Sequence, residues 1–139
     1  MSSVPEPETD VLGAPFTRET IELPDDAEGA VVATLVRLRS GRENPRGAVL
    51  YVHGFCDYFF QAGTAAFFAE LGFDFYALDL RKYGRSLLPH QTPNFCLDLA
   101  EYFPELDHSL GLIRDRDGHD TVVVGGHSTG GLIVCLWAA

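Results

Sequence analysis

The chain has 139 residues, 46% of them hydrophobic, and sets ten Lys and Arg against twenty Asp and Glu. That is enough apolar material for one domain around one core. The formal net charge of −10 excludes a nucleic-acid groove, which needs clustered basic side chains, and excludes charge-driven docking to an anionic membrane.

Residues 1–16 hold four prolines or glycines and several acids, and read as an extended, weakly ordered acidic arm. The first residues have neither a basic region nor an apolar core, so they are not a signal peptide. No apolar run is long enough to span a bilayer, and the expected location is cytoplasmic. Cys56, Cys96 and Cys135 are odd in number and lack metal-ligand spacing. Buried free thiols in a reducing compartment are the expectation, with no metal and no cofactor.

Residues 17–23 alternate loosely, as an edge strand would, and a turn follows at 24–29. A second strand runs over 30–39, with Val32, Thr34, Val36 and Leu38 on one face. The loop at 41–47 is rich in turn residues, and its arginines with Arg37 and Arg39 read as a solvated hairpin face. The uninterrupted apolar run at 48–52 fits a strand buried on both faces. Over 58–71 the period becomes helical, with Phe60, Thr64, Phe67, Phe68 and Leu71 on one face and Gly72 placed to cap the end. A strand is expected at 73–80 and a loop at 81–96. A second helical stretch at 97–116 puts Leu99, Phe103, Leu106, Leu110 and Ile113 in register, kinked or started late by Pro104.

The last stretch carries the chemistry. Val122-Val123-Val124 predicts a buried strand, and an apolar run from Leu132 predicts a helix. Between them, Gly126-His127-Ser128-Thr129-Gly130 matches G-x-S-x-G. Strand, glycine-bracketed serine and helix make a nucleophile elbow, with Ser128 at positive φ and Gly126 and Gly130 giving room for the turn. Ser128 then sits at a helix N-terminus, whose partial positive charge favours an oxyanion.

Two other motifs follow strands. Tyr51-Val52-His53-Gly54-Phe55 ends the third strand with a His-Gly step. By position, the backbone N–H groups of Phe55 and Thr129 would form the oxyanion hole. Asp79-Leu80-Arg81-Lys82-Tyr83-Gly84-Arg85-Ser86 follows the fourth strand, and Asp79 and Arg81 are expected to hold this loop in shape through hydrogen bonds and an ion pair.

His53-Gly54-Phe55, Asp79-Leu80-Arg81-x-x-Gly84-x-Ser86 and Gly126-His127-Ser128-Thr129-Gly130-Gly131 resemble three successive signatures of the α/β-hydrolase superfamily. They are most similar to its serine aminopeptidase, lysophospholipase and monoacylglycerol-lipase-like branch. The resemblance covers about residues 30–139. Lys82-Tyr83 stands where that branch has Gly-His, and Cys56-Asp57 follows the HGF step. The resemblance implies a Ser–His–Asp mechanism with Ser128 as nucleophile, acting on a small-molecule carboxylic ester.

In that fold the order is serine, acid, histidine. His53, His90, His108, His119 and His127 all lie at or before the elbow, so none suits the base, and the upstream acids Asp98 and Asp107 share that problem. The expected architecture is α/β: residues 17–139 form the N-terminal half of an α/β-hydrolase domain, a mostly parallel sheet with helices on both faces. The C-terminal β/α units, bearing acid, histidine and any lid, are expected as a second segment or chain. Two other readings of the same residues are a catalytically silent binding module of this fold and an assembly fragment using the open strand edge.

Overall fold

The computed structural model describes residues 6–139. Six strands form one sheet in the order β1-β2-β3-β5-β4-β6. They are β1 (Glu8–Thr9), β2 (Thr17–Asp26), β3 (Gly29–Leu38), β4 (Gly47–Val52), β5 (Phe73–Asp79) and β6 (Val122–Gly126). The pairs from β1 through β3 to β5 are antiparallel, whereas β4 runs parallel to both β5 and β6. The sheet within this chain is therefore mixed, and its parallel part carries the helices: α1 (Ala62–Glu70), α2 (Phe103–Gly111) and α3 (Thr129–Ala138).

Alternation along the strands sorts the core into two layers. Ala48, Leu50 and Val52 of β4 join Tyr76 and Leu78 of β5 on one face, where Leu106, Ile113 and Ile133 cover them. Val49 and Phe75 point the other way, onto Phe59, Ala65 and Phe68. Helices thus cover both faces, α1 on one and α2 with α3 on the other. From β4 the chain crosses to β5 on one side, then returns past β4 to β6 on the other. That reversal opens a crevice at the carboxyl ends of β4, β5 and β6, the usual place for a ligand in such sheets.

Several expectations are corrected. The helix after β4 starts at Ala62, and Phe60, Phe67 and Leu71 of the expected inner face are exposed. Phe59, just outside the helix, is fully buried instead, against Tyr51 and Phe75. Gly72 does end α1, at φ +95°. The face of α2 is rotated from the expected one: Tyr102, Glu105, Leu106, Ser109 and Ile113 are buried. The helix begins late, after a 3-10 turn at Leu99–Tyr102 closed by reciprocal Asp98 and Glu101 caps, with Pro104 in the first turn where no N–H is needed. In β3, Val31, Ala33 and Leu35 are buried as well as Val36, so both faces are covered. The valines of β6 are not deeply buried; Val123 is 50% exposed because nothing among the described residues pairs with the outer side of β6.

Residues 6–16 of the arm follow a fixed path: β1 pairs with β2, and Asp10 is buried against the Arg85 guanidinium at 2.7 and 2.8 Å. Arg37 is not solvated; its side chain is 12% exposed and lies between Asp74 and Asp117. The expected burial of the thiols also fails, since Cys56 and Cys135 are exposed and Cys96 is half-buried. Among the described residues no helix is long and apolar enough to cross a membrane.

Candidate active site

Three glycines bring the motifs together. A Cβ on Gly126 would run into the Gly130 carbonyl and the Gly131 nitrogen, and one on Gly130 into the carbonyl oxygens of Val52 and His53. A Cβ on Gly54 would lie 3.1 Å from the His127 carbonyl oxygen and 3.3 Å from Ser128 Cβ. The ends of β4 and β6 and the start of α3 therefore meet backbone to backbone, joined by a 3.0 Å hydrogen bond from His127 N–H to the Val52 carbonyl.

At that junction Ser128 has φ +56° and ψ −122°, a conformation L-residues avoid. The strain turns the chain so sharply that α3 starts at once: Gly131 N–H donates to the Ser128 carbonyl at 3.0 Å. The serine side chain is left exposed at the helix N-terminus. Phe55 follows β4 and Thr129 opens α3, and neither N–H donates a hydrogen bond within the described residues. Thr129, the first residue of α3, has no intrahelical acceptor for its N–H.

His53 serves the frame. It is fully buried, its Nε2 accepts from Leu80 N–H at 3.0 Å, and its Nδ1 donates to the Gly54 carbonyl at 2.8 Å. Both nitrogens are engaged and the ring is the neutral Nδ1–H tautomer. Burial holds its pKa below the ordinary value. Tyr83 packs on the ring at 4.6 Å between centroids.

The loop after β5 is held as expected. Asp79 accepts from Phe59 N–H at 2.8 Å and from Arg85 N–H and Nη1 at 3.0 Å each, while Ser86 Oγ donates to its carbonyl at 2.7 Å. Arg81 forms a two-pronged pair with Glu105, which is completely buried, at 2.8 to 3.2 Å. Sequence reasoning did not single out Glu105. The available signal was an acid next to Leu106 on the apolar side of a helix. Asp10, Asp26 and Glu28 were missed too, because their partners Arg85 and Lys82 lie more than fifty residues away.

None of the five histidines hydrogen-bonds Ser128. His90 bonds the Ala30 carbonyl, and His119 bonds Asp74 at the far end of the sheet. Beside the serine lies a cavity of about 360 Å³ whose lining includes Phe55 and Thr129 together with Tyr83, Phe95, Cys96 and Tyr102. Larger hollows of about 680 and 690 Å³ run along the outer side of β6 and at the opposite end of the sheet, and neither includes a residue of the elbow.

Over residues 43–139 the chain matches the family described as serine aminopeptidase, S33. It belongs to that family. Solved α/β-hydrolase structures superpose on most of it. A thermostable carboxyl esterase from Bacillus coagulans, 18% identical, matches with a TM-score of 0.73 over 87% of this chain and 39% of its own. A monoglyceride lipase from Saccharomyces cerevisiae, 22% identical, matches at 0.66 over 84% and 38%. Acetyl xylan esterase 1 from Thermoanaerobacterium, 16% identical, matches at 0.68 over 96% and 47%. The chain thus spans less than half the length of each of these structures. No curated protein sequence matches it. The α/β-hydrolase fold stands, with this chain matching part of it.

Proposed function

We propose that the protein carrying this chain hydrolyses carboxylic esters through an acyl-enzyme on Ser128. The observation that supports this is the geometry of the elbow: an exposed serine at positive φ, at a helix N-terminus, between two uncommitted backbone donors. Ser128 Oγ attacks the ester carbonyl while a histidine takes its proton, and that proton leaves with the alcohol. The oxyanion is held by Phe55 and Thr129 N–H, and water then cleaves the acyl-enzyme by the same route. Histidine and acid come from outside this chain, from C-terminal β/α units that pair with β6. The substrate class is a small ester of the monoacylglycerol or lysophospholipid kind, in keeping with the similarity to a monoglyceride lipase and two esterases. A cytoplasmic location belongs to the same reading.

The test is an intact-mass spectrum of the complete polypeptide after treatment with a fluorophosphonate, which reacts with activated serines. One adduct that disappears in Ser128→Ala is the expected result. An unmodified protein that also fails to cleave p-nitrophenyl acetate would overturn the reading.

A further inference from the structure

The cavity beside Ser128 has a wall built in an unusual way. Among the described residues, four other than glycine have positive φ: Cys56 at 51°, Lys82 at 64°, Asn94 at 60° and Ser128 at 56°. All four adjoin this cavity or hold its lining. Cys56 follows Phe55, Asn94 is part of the lining, and Lys82 receives the Asn94 N–H on its carbonyl at 2.9 Å. Such conformations cost about 1–3 kcal/mol each and persist only where the surroundings fix them, so their grouping marks a place shaped for something.

What fixes this wall is Lys82. At φ +64° a residue with a Cβ is strained, so the side chain must be held in place by its partners. Here the ammonium is almost fully buried and bonds Asp26 at 2.6 Å and Glu28 at 2.7 Å, on the turn between β2 and β3. It also lies 5.5 Å from the centre of the Phe95 ring, a wall residue. Glu28 in turn accepts from Thr92 N–H and from Thr92 Oγ1, the latter at 2.7 Å. Gln91 and His90 bond the Ala30 carbonyl on the same hairpin, each at 3.0 Å. The segment 90–95 is thereby clamped to the antiparallel part of the sheet, and its inner side is turned to the oxyanion donors. Lys82 itself is not in the lining.

Resting on the ester-hydrolase reading, we propose that this cavity is the subsite for an apolar group of the ester next to the carbonyl, and that Lys82 is the positioning residue that sets its size. The lining is mainly apolar, with Tyr83, Phe95, Leu99 and Tyr102 beside the polar Thr92 and Asn94, and its volume is near the lower end for small-molecule sites. A medium-length chain or an aromatic ring fits that description. The group is either the acyl chain or the alcohol, both of which are attached at the carbonyl carbon.

The experiment uses the complete polypeptide and two ester series, p-nitrophenyl esters of lengthening acyl chain and acetates of lengthening alcohol. Lys82→Met keeps the bulk of the stem and removes the clamp; Lys82→Arg keeps the charge. In one series the wild type should show kcat/KM rising with chain length to a sharp optimum, which assigns the occupant to that half of the ester. In that series Lys82→Met should cut the ratio of optimal-chain to acetyl kcat/KM about tenfold, mainly through KM, and Lys82→Arg should restore most of it. Leu99→Trp, which fills the cavity, should move the optimum to shorter chains. Equal losses for all chain lengths, or an unchanged optimum in both Lys82→Met and Leu99→Trp, would overturn the subsite. Ser128 adduct formation on the same samples separates the two ideas: labelled protein with a flat length profile refutes the subsite alone, and unlabelled, inactive wild type refutes both.

Discussion

The two ends of the parallel strands both hold ion pairs but differ in backbone strain. At the carboxyl ends, positive-φ residues crowd together, backbone N–H groups are left uncommitted and an apolar cavity opens beside an exposed serine. At the other end, charges close on one another. Asp74 bonds His119 at 2.9 Å and the Ser40 N–H at 2.8 Å, and lies 3.9 Å from Arg37. Asp117 accepts from Tyr76 at 2.6 Å and pairs with Arg116, which reaches Glu19 at 2.7 Å. Arg37 stacks over Tyr76, and its Nε is the buried side-chain polar atom left without a partner among the described residues. No residue of that network has positive φ. Strained non-glycine backbone is gathered at the end that carries Ser128, and the network at the other end holds none of it.

The largest expected effect separates strain from chemistry. Ser128→Gly should abolish ester hydrolysis, by about 10⁴-fold or more. It should also raise stability by about 1 kcal/mol, because glycine reaches φ +56° without the Cβ clash. Ser128→Ala should lose the same activity with no such gain, and paired urea melts with activity assays distinguish the two.

Next in size is Gly130→Ala. Its Cβ meets the Val52 and His53 carbonyl oxygens, so the junction of β4 and α3 must spread. A loss of about 3 kcal/mol is expected, accompanied by loss of fluorophosphonate labelling. Asp74→Asn at the opposite end should cost about 2 kcal/mol, since His119 and Arg37 lose a carboxylate partner. Its labelling rate should stay near that of the wild type. If labelling falls as steeply as in Gly130→Ala, the two ends are not independent.

The smallest effect is a difference in acid sensitivity. His53 is held below its ordinary pKa by burial, so the unfolded chain binds its proton more readily than the fold does. Its contribution is complete well above the unfolded value of about 6.5 and declines as pH falls below it. For Asp117 burial raises the pKa, but bonds from Arg116 and Tyr76 outweigh it and leave the carboxyl below the usual range. That contribution persists above the unfolded carboxylate value and fades only as pH drops further, through the depressed one. Amide protection factors, which divide out the intrinsic slowing of exchange in acid, should therefore fall first around His53 and Leu80 between pH 7.5 and pH 5, with the Asp117 region changing only in stronger acid. A uniform change along the chain would remove the distinction.

The elbow was legible because its causes are local. Gly126, Ser128 and Gly130 fall within five residues, and the turn they make is set by Cβ sterics that any context shares. The strands from β4 onward were legible for a similar reason, since solid apolar runs bounded by turn residues leave few alternatives. The inner face of α1 was misread because Phe60, Phe67 and Leu71 are as hydrophobic as the residues that are buried. Periodicity alone does not say which aromatic a sheet will cover, and Phe59 won the position by lying against Tyr51 and Phe75.

The amino-acid sequence by itself determined the family, the strand–serine–helix elbow and the order of elements along the chain from β2 onward, because each depends on residues near one another in the chain. The tertiary structure alone decided that Glu105 neutralises Arg81, that Asp10 meets Arg85 and that Lys82 binds Asp26 and Glu28. Ion pairing has no period and no preferred sequence separation. A buried charge takes the partner that the fold delivers to it, and only the path of the whole chain says which one that is.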